Sequence, residues 1–179
     1  QHFEWYRAIW IECGELMDHY GYKWWKKQDP DMAQVRLEVV DIWHFGLSAL
    51  FRADTDIAEL AEQVAADLER PTEVLLDVRE ATEALALASL QARGFSVPQF
   101  AVLMQACNLS FEDLYRHYVG KNVLNFFRQD HGYKEGSYQK VWEGREDNEH
   151  LAELMERLDT QSDDFPSDVY NALKAKYPG

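Results

Sequence analysis

The chain has 179 residues, 32 acids against 18 Lys and Arg, and a formal net charge of −14. Hydrophobic residues make up 46% and aromatics 13%, too much apolar material for a disordered acidic chain, and the length suits one domain with a real core. A pI near 4.7 excludes a general nucleic-acid binder and a protein that docks on an anionic membrane, since both need a positive footprint.

No apolar run approaches the ~18 residues of a transmembrane helix, and no signal peptide is visible. The sequence opens at Gln1, so native residues upstream of it are expected. Cys13 and Cys107 form no CxxC. They read as buried small hydrophobes in a reducing, cytoplasmic setting.

Helical periodicity runs through the chain, and an all-α fold is expected. Residues 3–20 place Ile9, Cys13, Leu16 and Tyr20 on one apolar stripe. Gly21, Pro30 and a cluster of Trp and Lys interrupt it. Residues 32–52 place Val35, Val39, Ile42 and Phe45/Gly46 on a second stripe. Asp54 and Thr55 predict the cap of a helix to about Arg70, and Thr72 the cap of another to about Arg93, stopped by Gly94. Ser96 opens a short helix through about Ala106. Ser110-Phe111-Glu112-Asp113 has the form of a capping box and opens a helix to Asp130.

Gly132 to Gly144 reads as a loop. Two acidic amphipathic helices follow, near 147–159 and 166–177. Residues 160–179 are expected to be a C-terminal tail helix of a single domain, 1–179. Residues 54–83 and 143–168 each hold ten acids and two basic residues, and both blocks are expected to be solvated helix faces. The rest of the chain is slightly basic.

Two carboxylate pairs stand out, Glu12-x-x-Glu15 and Glu38-x-x-Asp41. At about 100° per residue, Glu12 and Glu15 lie about −60° and −120° from Ile9, and Glu38 and Asp41 lie at the same angles from Val35. Packed antiparallel, the two helices would gather four carboxylates at the margin of the core. Such a cluster repels itself unless a hard cation sits in it, and an all-oxygen ligand set favours Mg²⁺ or Mn²⁺ over zinc. Either pair alone also fits a plain solvated face. Asp41-Ile42-Trp43-His44 and Asp147-Asn148-Glu149-His150 are D-x-x-H patterns, but a di-iron bundle needs E-x-x-H twice, and the chain has none.

Tyr22-Lys23-Trp24-Trp25-Lys26-Lys27 joins the two carboxylate helices. Trp offers a flat face to a base and Lys a point charge to phosphate, though Trp pairs also pack in cores. Farther on, Lys121, Asn125 and Arg128 fall at i, i+4 and i+7 on one helix face, with Val123, Phe126 and Phe127 on the other. Asn can read an amide edge, and Lys and Arg can hold phosphates. A solvated face before a Gly-rich turn is the competing reading.

I-x-x-E-x-x-E, then YKWWK, E-x-x-D-I-W-H-F and KNxLNxFRQDHGYKEGSY, in that order, resemble the dimeric all-α dUTP diphosphatases. These belong to the all-α NTP pyrophosphohydrolase superfamily, which includes the MazG-like enzymes. The likeness spans Ile9 to about Asn148. It implies an active site between antiparallel helices and Mg²⁺ (or Mn²⁺) on Glu12, Glu15, Glu38 and Asp41. Glu12 and Glu15 would be catalytic, with Glu12 activating the attacking water. It implies uracil contacts at Trp24, His44 and Asn125, and phosphate contacts at Lys121, Arg128, Tyr133 and Lys140. Lys23, Lys26 and Lys134 are further phosphate candidates. The family also carries a Gln on a helix before the first carboxylate helix; Gln1 stands too near the E-x-x-E motif to be it, so that helix is expected upstream of residue 1.

The expected function is hydrolysis of dUTP, and of dUDP by attack at the β-phosphorus, to dUMP, which keeps uracil out of DNA. Two alternatives remain at this point. One is a related diphosphatase acting on another nucleotide such as dCTP, and the other is a non-catalytic, metal-stabilised interaction module. The resemblance also implies a homodimer. The helix over Val74–Leu90, apolar over a wide arc through Leu85, Leu87 and Leu90, is either an interface or intrachain core.

Overall fold

A computed structural model describes residues 3–70 and 75–178. Its elements, in chain order, are α1 (Trp5–Tyr20), α2 (Met32–Leu50), α3 (Ile57–Leu68), α4 (Val78–Ala92), α5 (Val97–Ala106), α6 (Phe111–Asp130), β1 (Val141–Trp142), β2 (Arg145–Glu146), α7 (Asp147–Met155) and α8 (Phe165–Lys176). The protein is all-α, with one two-residue hairpin. Among the described residues no helix is long and apolar enough to cross a membrane. The chain divides into two compact units, 1–110 and 111–179.

The first unit is built on α1 and α2. Ile9, Cys13 and Leu16 of α1 and Val35, Val39, Ile42 and Gly46 of α2 are buried, as their spacing predicts. Gly21 ends α1 with a φ of 92° and donates its N–H to Met17 O, 3.0 Å away. A Cβ there would come within 2.7 Å of Gln28 Cβ, so the turn tolerates only glycine. Asp31 N then bonds His19 O at 3.0 Å, while Trp5 stacks on Phe45 at the far end with centroids 6.1 Å apart. The two helices are therefore antiparallel.

α4 packs against α1, and α5 against α4, α3 and α2. Trp43 of α2 stacks on Phe100 of α5 at 5.1 Å, which makes an aromatic floor beneath the second carboxylate helix. Cys13 and Cys107 are buried free thiols. Burial, and for Cys13 the adjacent Glu12 charge, pushes them up to about 12 and about 11, so both stay protonated and inert.

Two helix starts differ from expectation. α3 is capped by Asp56, not by Asp54 or Thr55. The Asp56 carboxylate accepts from Ala58 N at 2.9 Å and Glu59 N at 3.2 Å, while the Thr55 hydroxyl accepts from Arg52 N in the preceding turn. The acid next to the first helical residue is the one that reaches those N–H groups. α4 begins at Val78 behind a reciprocal box: the Asp77 carboxylate accepts from Arg79 N and Glu80 N, and Glu80 accepts from Asp77 N. Thr72 and Val74 lie outside the described residues. Arg93, at φ 49°, makes the left-handed exit before Gly94.

In the second unit, α6 packs against α7 and α8. Val123, Leu124 and Phe127 of α6 form one core with Trp142, Met155, and Phe165, Val169 and Leu173 of α8. The segment read as a loop contains the hairpin. Glu143 and Gly144 take φ of 52° and 76°, the paired positive values of a tight hairpin turn. Strands of two residues leave no alternation for a sequence to display. Phe126 does not join the apolar side of α6. It is 63% exposed, because the core arc runs through positions 120, 123, 124 and 127 and Phe126 lies beside it.

Candidate functional site

In the first unit the antiparallel pairing brings Glu12 and Glu15 of α1 against Glu38 of α2. One carboxylate oxygen from each lies within 4.8 Å of the others, and among the described residues this is a group able to hold a metal ion. Glu38 is 8% exposed, Glu12 is half-buried and Glu15 faces solvent. Asp41, one turn beyond Glu38, is outside that closest set, but its negative charge acts on both Glu12 and Glu38. An open groove of about 380 Å³ runs alongside, lined by Trp10, Ile11, Gly14, Glu15, Asp18 and His19.

The cluster is electrostatically strained. Burial pushes the Glu12 carboxyl up to about 7, helped by its hydrogen bond with Glu38 and the charges of Asp41 and Glu15. Burial also raises Glu38; the charges of Asp41 and Glu15 add to this, and the Glu12 hydrogen bond and His19 oppose it. Both carboxyls are biased toward their protonated forms, because carboxylates this close repel one another without a cation. His19 Nε2 lies 3.4 Å from Glu38 Oε1. Sequence reasoning passed over His19, although it stands one turn after Glu15, on the edge that carries the carboxylates.

A hard divalent cation fits this donor set. The ligands are all oxygen, they come from two rigid helices, and their unpaired repulsion is what a cation removes.

The aromatic loop presents Trp24, 89% exposed, edge-on to Trp25 at 4.5 Å. Such exposure rules out a core role for Trp24. Lys23 lies over the Tyr22 ring, its N–H held by Gln28 Oε1 at 2.8 Å, and Lys26 is exposed. His44 is half-buried on α2, edge-on to Phe45 at 5.4 Å.

The second unit carries the other sequence candidates. Lys121, Asn125 and Arg128 share a face of α6, and Asn125 is exposed. Tyr133 and Lys134 are exposed in the following turn. Lys140 pairs with Glu146 at 2.9 Å, both about half exposed, a contact of little energetic consequence.

Arg128 is held far more firmly. Its Nε and Nη2 donate to the two oxygens of Asp147 at 2.7 and 2.8 Å. Asp147 is fully buried, and Tyr138 OH and Asn148 N also donate to it. Burial favours the neutral Asp147 carboxyl, but the Arg128 bonds and charge outweigh burial and pull it below its ordinary value.

The block 143–168 is thus not a uniform solvated face. Asp147 and His150 are both buried, His150 Nε2 meeting Trp142 O at 2.8 Å. A charge count does not show that one acid of ten has an arginine partner nineteen residues upstream.

Residues 1–133 match the model of a protein family described as dUTPase. No curated protein matches the chain. The matched span holds both carboxylate helices, the aromatic loop and all of α6.

Proposed function

The chain belongs to the dUTPase family and is a dUTP diphosphatase, and we propose that it hydrolyses dUTP and dUDP to dUMP at a Mg²⁺ centre on Glu12, Glu15, Glu38 and Asp41. The observation that carries this reading is the self-repelling carboxylate cluster, with its oxygens within 4.8 Å and Glu12 pushed up to about 7. Mn²⁺ would fit the same donors.

When bound, the cation offsets triphosphate charge and polarises the phosphoryl group under attack. The chain's residues do the rest. Glu12, half-buried and in its ionised form, accepts a proton from the attacking water, with Glu15 beside it. Glu38 orients Glu12 and is itself held by His19. Attack at the β-phosphorus gives dUMP from both dUTP and dUDP. The family motifs assign uracil contacts to Trp24 and His44 in the first unit and to Asn125 in the second. They assign phosphate contacts to Lys121, Tyr133 and Lys140, with Lys23, Lys26 and Lys134 as further flexible point charges, while the Arg128 guanidinium, assigned to phosphate by the same motifs, is committed to Asp147, Asn125 and Asn148. The consequence is a pool low in dUTP and little uracil in DNA.

A homodimer is part of the reading. Leu85 is buried in the core, but Leu87 and Leu90 on α4 are 56% and 46% exposed, and Trp10 and Ile11 on α1 are also exposed. Helices α1 and α4 pack together, so their exposed apolar residues suit a second copy.

The test is a substrate panel of dUTP, dUDP, dCTP and dTTP in Mg²⁺, followed by chromatography. Release of dUMP from the first two, with at least tenfold lower kcat/KM for dCTP, is expected. Equal rates for dUTP and dCTP would overturn the assignment of the base.

A further inference from the structure

The Arg128–Asp147 pair lies beside a residue that the proposed function places on the base. Arg128 Nη1 reaches Asn125 Oδ1 at 3.4 Å, and Nη2 reaches Asn148 Oδ1 at the same distance. Every nitrogen of the guanidinium is therefore engaged within the protein. Asp147 cannot swing away to release it. Its backbone N–H is bonded to Lys140 O at 2.9 Å, and its carboxylate has a further donor in Tyr138 OH at 3.0 Å. A planar fork gripped at two points is fixed in orientation as well as in position.

We infer that Arg128 is a positioning residue for base selection: anchored by Asp147 and Tyr138, it holds the carbonyl end of the Asn125 amide and so turns the NH₂ end outward.

An amide left free to flip would serve either pyrimidine. Its NH₂ would suit the O4 acceptor of uracil, and its carbonyl would suit the N4 amino group of cytosine. Tying the oxygen to a cation removes the second option. The exposed group is then a donor, which pairs with O4 and meets the cytosine amino group donor against donor. Selection arises from leaving the wrong base with an unpaired polar group, a stronger device than shape alone. The inference rests on the reading of Asn125 as a uracil contact and assigns selection to residues behind it, two of which, Tyr138 and Asp147, lie beyond the matched span 1–133.

Arg128→Lys separates this role from a phosphate contact. Lysine keeps the positive charge but loses the fork, so a phosphate contact would largely survive and the amide orientation would not. The readout is kcat/KM for dUTP and dCTP with wild type and variant. A fall of at least tenfold in the dUTP:dCTP ratio, from gain on dCTP and loss on dUTP, is expected. An unchanged ratio with KM raised equally for both nucleotides would overturn the inference and leave the substrate reading intact. A wild type with no preference would overturn both.

Because the pair is buried, the wild-type protein supplies a second readout that needs no variant. The Asn125 side-chain amide, followed by ¹⁵N relaxation, is expected to be as rigid as the α6 backbone. A freely rotating amide would overturn the inference.

Discussion

Replacing Glu12 with Gln is expected to lower dUTP turnover by about 10²–10⁴-fold, the range for loss of a general base. The fold should survive. Glu12 already hydrogen-bonds Glu38, and the Gln amide offers a donor to the same carboxylate at nearly the same size. The variant also removes one charge from a self-repelling group, so metal-free Glu12→Gln should melt no lower than wild type at pH 8. Steady-state kinetics and a thermal melt check both halves. Turnover within threefold of wild type would remove Glu12 from the chemistry, while a collapsed melt would show that its role is structural.

The second large effect is a stability that runs against the common pattern for carboxylates. A paired surface acid has a depressed pKa and stabilises the protein as pH rises. Glu12 is raised from 4.5 to about 7, and Glu38 moves the same way. Between those values the folded state binds more protons than the unfolded chain, so stability falls as pH rises from about 4.5 to 7 and then levels off. The Glu12 shift sets an upper bound of roughly 3 kcal/mol in metal-free protein, and solvent screening of a half-buried carboxyl brings it to about 2 kcal/mol. Mg²⁺ binds the ionised form and should reverse the loss. The expected result is a metal-free Tm that drops by roughly 5–10 °C between pH 5 and pH 8. Saturating Mg²⁺ should then raise Tm far more at pH 8 than at pH 5. A metal-free Tm that climbs over that range, with a Mg²⁺ shift independent of pH, would mean that the carboxylates are not the coupled group described.

Much of this site is legible in the sequence because helices convert spacing into geometry. Glu12, Glu15 and Glu38 meet because Glu12 and Glu38 keep the same angle from a buried stripe, through Ile9, Cys13 and Leu16 on one helix and Val35, Val39 and Ile42 on the other, and Glu15 lies one turn beyond Glu12 on the same edge. The ends of α5 and α6 follow from Ser96, Ala106 and Asp130 in the same way. What stayed hidden depends on contacts distant in sequence or on very short elements. Asp147 looks like one more acid in a charged run, and only folding shows it under Arg128 and Tyr138. The hairpin at Val141–Glu146 is too brief to alternate. Phe126 looks apolar enough for the core, yet it sits off the arc set by Val123 and Phe127.

The most direct measurement is dUMP release from dUTP by protein stripped of metal with a chelator, before and after Mg²⁺ is restored. The account predicts no turnover above the uncatalysed rate without metal, and dUMP with equimolar pyrophosphate once Mg²⁺ is added. Hydrolysis that proceeds equally well in chelator, or no dUMP with Mg²⁺ present, would contradict it.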